Sequence, residues 1–169
     1  YQNKEKDDAI KKCQEIISRY PNSAIAPDVI YFLGEHYLNT AKEEVAVRYF
    51  LRLVSDYRES NLLPNTYYSL GLVYLGQDKY DEALTQFNNL LNSPNNEFKA
   101  RAVLAIGDVY FKKGDLESAL RQYRQALNKA SPDKAAEIQF KIAQTLQENG
   151  RVDEATEEYF KTSYLYPQD

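Results

Sequence analysis

The stretch Tyr68-Ser69-Leu70-Gly71-Leu72-Val73-Tyr74, followed by Tyr80-Asp81-Glu82-Ala83, decides the fold. Gly71 and Tyr74 stand three residues apart, and Ala83 and Phe87 four apart, so each small–large pair shares one face of a helix. The small residues let two antiparallel helices approach closely. The aromatics fill the space on either side, and Leu70 widens the apolar stripe toward the next hairpin.

The pattern recurs along the chain. Ala9, Ala46, Ala83, Ala119 and Ala155 are separated by 37, 37, 36 and 36 residues. Four residues after each stands Cys13, Phe50, Phe87, Tyr123 or Tyr159. Twelve before the last four alanines stand Gly34, Gly71, Gly107 and Ala143, and three beyond those stand Tyr37, Tyr74, Tyr110 and Leu146. The six prolines, at 21, 27, 64, 94, 132 and 167, fall between these helices or in a first turn, where a missing N–H costs nothing. Gly76, Gly114 and Gly150 sit where the first helix of a hairpin must stop and turn.

These residues resemble the tetratricopeptide repeat family, best in Tyr68 through Tyr74 with Tyr80 through Ala83, and in Ile106-Gly107-Asp108-Val109-Tyr110 with Gly114-Asp115-Leu116 through Ala119. The family norm is about 34 residues. The two or three extra residues of each repeat belong in the linkers between hairpins. The resemblance implies an all-α fold, a right-handed α-solenoid of helix-turn-helix repeats, about four full repeats plus one preceding helix. The helices are expected at roughly 4–19, then in hairpins at roughly 24–57, 61–92, 97–129 and 133–165. The array reads as a single domain, residues 1–169, divided roughly into 1–23, 24–60, 61–96, 97–132 and 133–169. A narrower likeness lies in Arg19-Tyr20-Pro21-Asn22-Ser23 with Tyr31 through Tyr37, echoed by Tyr166-Pro167. It resembles bacterial cell-envelope repeat proteins of the outer-membrane assembly lipoprotein and Tol–Pal coordinator types, and implies the periplasmic side of the envelope ahead of the cytoplasm.

Charge and composition narrow the function. The net charge is −4, and Lys and Arg are scattered singly or in pairs. A nucleic-acid binder shows a basic face, so no nucleic acid is expected. No stretch approaches the length of a membrane span, so no direct insertion of this segment is expected. The absence of Met and the start at Tyr1 point to a processed form or a part of something longer. The unpaired first helix and the lack of a polar capping helix suggest self-association through the ends.

No nucleophile stands with a base and an orienting group, and no phosphate loop or metal-ligand cluster is present. The expectation is therefore a non-catalytic protein, with no cofactor and no metal. His36 is the single histidine and reads as a surface residue. Cys13 takes the place of the repeat aromatics and reads as packing, not as a reactive thiol. The acidic pairs Glu43-Glu44, Asp81-Glu82 and Glu157-Glu158 read as solvated faces and helix N-terminal charge.

In this family the first helices line the concave side. Spacing from each small residue then names the groove: Asp28, Tyr31, Glu35 and Leu38; Asn65, Tyr68, Leu72 and Leu75; Arg101, Leu104, Asp108 and Phe111; Glu137, Phe140, Gln144 and Gln147. The recurring apolar side chains predict a scaffold for an apolar or amphipathic protein or peptide segment. Asp28, Glu35, Asp108 and Glu137 would tolerate a basic residue in it. The candidate site is Tyr31, Glu35, Tyr68, Leu72, Leu75, Arg101, Leu104, Asp108, Phe111, Phe140 and Gln144. The plain alternative for each is packing against the neighbouring hairpin. Two further readings stand beside it: an assembly unit acting through its ends, and the docking region of an enzyme whose catalytic domain is absent here.

Overall fold

The computed structural model describes residues 2–165, apart from the side chains of residues 2–4, 133 and 165. Tyr1 and the Tyr166-Pro167 linker lie outside the described residues. These residues form nine helices and no strand. They are α1 (Gln2–Arg19), α2 (Ala26–Asn39), α3 (Glu43–Asp56), α4 (Leu63–Gly76), α5 (Tyr80–Leu91), α6 (Asn96–Lys113), α7 (Leu116–Leu127), α8 (Pro132–Glu148) and α9 (Val152–Leu165). This is the all-α class of helical repeats, with each helix where the alanine phase puts it. The chain divides into two compact units, Tyr1–Val73 and Tyr74–Asp169, with the boundary inside α4.

One turn closes every hairpin. The N–H of Lys42 donates to the carbonyl of Tyr37, Lys79 to Tyr74, Asp115 to Tyr110 and Arg151 to Leu146, at 2.8–2.9 Å. The acceptors are the large residues of the repeat signature. Just before each donor stands a left-handed residue: Ala41, Asp78, Gly114 and Gly150, with φ of 55°, 56°, 82° and 74°. A bond from C″ back to C3 across a left-handed C′ is the Schellman close of a helix. This corrects the reading of Gly76. It ends α4, but the left-handed place belongs to Asp78 two residues on. Asp115 then caps α7 by accepting from the N–H of Ser118 at 3.1 Å.

In the first unit Ile17, Ile30, Leu33 and Leu53 form a buried cluster where α1, α2 and α3 meet. The α1 end is tied down by polar bonds: Arg52 Nη2 donates to the carbonyl of Ile17 (3.1 Å), and Gln14 Nε2 donates to the hydroxyls of Tyr37 (3.0 Å) and Tyr49 (3.2 Å). Cys13 is half-buried on this cluster. His36 is also half-buried, between the rings of Phe32 and Tyr37, so it is less of a surface residue than its sequence context predicts. In the second unit the core joins Ala119, Leu120 and Tyr123 of α7 to Ile138, Ile142 and Leu146 of α8 and Ala155 of α9. Burying one such large apolar side chain contributes on the order of 2–3 kcal/mol.

The small residues stand where two helices touch. A β-carbon at Gly34 would lie 2.4 Å from Phe50 Cε1, and one at Gly107 2.5 Å from Tyr123 Cε1. Real Cβ contacts are not that short, so glycine is what lets α2 meet α3 and α6 meet α7 at this spacing.

Candidate functional site

The groove positions lie about a quarter turn from the small residues, on the first helix of each hairpin. None of the eleven candidates is buried. In the first unit the Tyr31 ring is half-buried, 5.9 Å from the Phe50 ring, and packs on the Ile17 cluster. Tyr31 therefore serves the core as much as the surface. Glu35 accepts a hydrogen bond from Ser69 Oγ at 2.9 Å. Tyr68 is half-buried and Leu72 is exposed.

The second unit gathers more. Leu75, Asp108, Phe111 and Gln144 line one cavity of about 300 Å³ together with Lys112, Tyr123, Lys141 and Thr145. At its floor two donors converge on Asp108 Oδ1: the Tyr123 hydroxyl and Lys141 Nζ, each at 2.7 Å. The Lys141 ammonium also stands 5.9 Å from the Tyr123 ring centroid. Burial, then the Asp108 charge and hydrogen bond, push the Tyr123 phenol far above its ordinary value, so it stays a neutral donor. Three candidates lie outside the cavity. Leu104 packs on the α7–α8 core, Arg101 sits over the Phe98 ring at 5.8 Å, and exposed Phe140 meets the Tyr159 ring edge-on at 5.6 Å.

A profile of the tetratricopeptide repeat-like domain matches residues 1–148. The chain belongs to this family. Among solved structures it is similar to "Crystal structure of MamA" (20% identity, 94% of this chain and 87% of that one, TM-score 0.77). It is similar too to "Crystal structure of MamA protein" (19%, 99% and 90%, TM-score 0.79) and to MamA 41-end from Desulfovibrio magneticus RS-1 (18%, 94% and 84%, TM-score 0.77). At such identities the likeness concerns the fold alone. Comparison with curated protein sequences returned no match.

Within this tetratricopeptide repeat-like chain, Lys141 and the Tyr123 hydroxyl are the site groups that the sequence reading missed. A faint signal existed. Lys141 takes the same repeat position as Ser69, and Asp108 the same position as Glu35. The structure turns this into one motif used twice: an acid on one first helix accepts from a donor on the next, Glu35 from Ser69 and Asp108 from Lys141. Both acids are thus already engaged. The exposed groove acids are Asp28 and Glu137, the latter 3.9 Å from Lys134.

A second, more open depression of about 640 Å³ in the first unit is lined by Leu51, Arg52, Val54, Ser55, Arg58, Leu63 and Tyr67, none of them a groove position. Among the described residues no three His, Cys, Asp or Glu side chains gather to hold a metal ion. No described helix is long and apolar enough to cross a membrane.

Proposed function

We propose that this tetratricopeptide repeat-like chain is a non-catalytic scaffold that takes an apolar or amphipathic peptide segment on its first helices, with the Leu75–Asp108–Phe111–Gln144 cavity as the principal anchor point. Membership of the family supports the coarser part, a protein–protein interaction scaffold. The cavity carries the finer part, because side chains far apart in sequence converge there on one concave, half-apolar place. Leu75 and Phe111 receive an apolar side chain, and Gln144 offers hydrogen bonds to its backbone. Asp108 is held by Lys141, and Lys112 adds a second ammonium, so the lining sums to one positive charge. The bound segment then carries a neutral or acidic residue here, where the sequence reading allowed a basic one.

Selection of a phage-displayed peptide library on the immobilised chain tests this. Recovered peptides are expected to share one aromatic or aliphatic anchor. They should lose binding to a Phe111→Ser, Phe140→Ser double variant whose circular dichroism is unchanged. Peptides that bind the double variant as well as the parent would place the site elsewhere.

A further inference from the structure

The open depression of about 640 Å³ in the first unit is lined by residues that the repeat does not call for. Leu51 stands five residues after the repeat alanine Ala46 and is 42% exposed. At the same distance from the later alanines stand Asn88, Arg124 and Phe160, all exposed, so packing of the repeat needs no apolar side chain there. Tyr67 stands four residues before Gly71 and is only half-buried. At its place the other first helices carry Ile30, Val103 and Gln139, all buried. With Val54 and Leu63, these two side chains make an apolar lining that is open to solvent.

The charge beside this lining is unmatched. Arg52 is engaged: its Nη2 donates to the carbonyl of Ile17, and its Nε stands 3.5 Å from Asp56. Asp56 also accepts from Ser55 Oγ at 2.6 Å. Arg58 is exposed, its Nε reaches only the carbonyl of Ser55 at 3.4 Å, and it makes no ion pair among the described residues. It stands twelve residues after Ala46, and at that distance from Ala83 and Ala119 stand the neutral Asn95 and Ser131. In a chain of net charge −4, Arg52, Asp56 and Arg58 together leave one positive charge at this place.

We propose that this depression binds an acidic, apolar segment of a partner protein. One aliphatic or aromatic side chain of the segment seats among Leu51, Val54, Leu63 and Tyr67. An Asp or Glu close by in the segment pairs with the Arg58 guanidinium, whose planar fork matches a carboxylate. The openness of the depression favours a segment over a free small molecule, because small-molecule sites enclose most of their ligand. An apolar centre with a charged rim is also the ordinary anatomy of a protein interface. None of these residues belongs to the proposed groove, so the two sites are independent.

The test is selection of a phage-displayed random peptide library on the immobilised Phe111→Ser, Phe140→Ser chain, in which the proposed groove is disabled. Recovered peptides should carry an apolar residue with an Asp or Glu within a few positions of it. Their affinity, followed by fluorescence anisotropy, should fall about tenfold or more in Leu51→Asp and in Arg58→Glu, and should weaken with added salt. Both positions are exposed, and circular dichroism should confirm that these variants stay folded. Exchanging the peptide's acid for Lys should restore binding to Arg58→Glu, which a merely structural effect of the substitution would not do. A selection that enriches nothing, peptides indifferent to both substitutions, or a failed charge exchange overturns the proposal. So does dimerisation of the parent chain that Leu51→Asp abolishes, which would assign the depression to a second copy. In selections on the parent chain, loss of binding to Arg58→Glu sorts out the peptides of this depression, so the groove is judged on the remainder.

Discussion

The ring of Tyr123 lies directly against the backbone of Gly107, so close that a β-carbon there would stand 2.5 Å from Cε1. The ring cannot retreat, because it is buried in the α7–α8 core and its hydroxyl is bonded to Asp108. Gly107→Ala and Gly34→Ala should therefore destabilise by about 1–3 kcal/mol each, the usual cost of overpacking. Gly76 has nothing within 4 Å of its would-be β-carbon, so Gly76→Ala should be neutral or stabilise by up to about 1 kcal/mol. Urea denaturation of the three variants checks the contrast, and equal effects would refute the close-contact assignment.

The hairpin turns supply an opposite pair of substitutions. Ala41 holds a left-handed conformation at φ 55° without being glycine. Ala41→Gly should raise stability by a few tenths to about 1 kcal/mol, since relief of the left-handed strain exceeds the added entropy of the unfolded chain. Gly114→Ala, at φ 82°, should lower it by about 1 kcal/mol. Thermal melts of both proteins give the sign directly.

Tyr123, Asp108 and Lys141 form one unit spanning α6, α7 and α8. Tyr123→Phe keeps the ring but removes a hydrogen bond to a charged acceptor, and should cost about 1–2 kcal/mol. The loss should differ in a Lys141→Met background, because both donors share Asp108 Oδ1. A double-mutant cycle measures that coupling, and strict additivity would mean that the two donors act independently.

Asp115 caps α7, and its carboxyl is held below the ordinary 3.8, first by the hydrogen bond with Ser118. A depressed carboxyl contributes stability above its unfolded value and loses it as the pH falls through the folded value. Asp115→Ala should therefore melt below the parent at neutral pH, and the difference should close as the pH drops below 3.8. A gap that persists in acid would point to something other than the carboxylate cap.

The helices and their pairing were legible because the small–large grammar is local. Gly34 with Tyr37, or Ala46 with Phe50, lies within one or two turns of a helix, and a 36–37-residue spacing sets the phase for the whole chain. For the proposed groove, spacing reaches the same depth and no further. Spacing names the face of a helix, but not which side chains on that face converge, so it could not separate Leu75, Asp108, Phe111 and Gln144 from Arg101, Leu104 and Phe140. Ala41 and Asp78 escaped the reading because only glycine announces a left-handed turn in sequence.

What the sequence determined by itself, then, is the repeat: which residues are small, which are large, and on which helix face each stands. Periodicity along one chain carries that information. Packing between helices decided the rest. The bond of Lys141 to Asp108 joins residues of two different hairpins, and no pattern within either one encodes it. The repeat alanines Ala46, Ala83, Ala119 and Ala155 stand in one register, and each is buried because another helix of the fold lies against it, which spacing along the chain does not state.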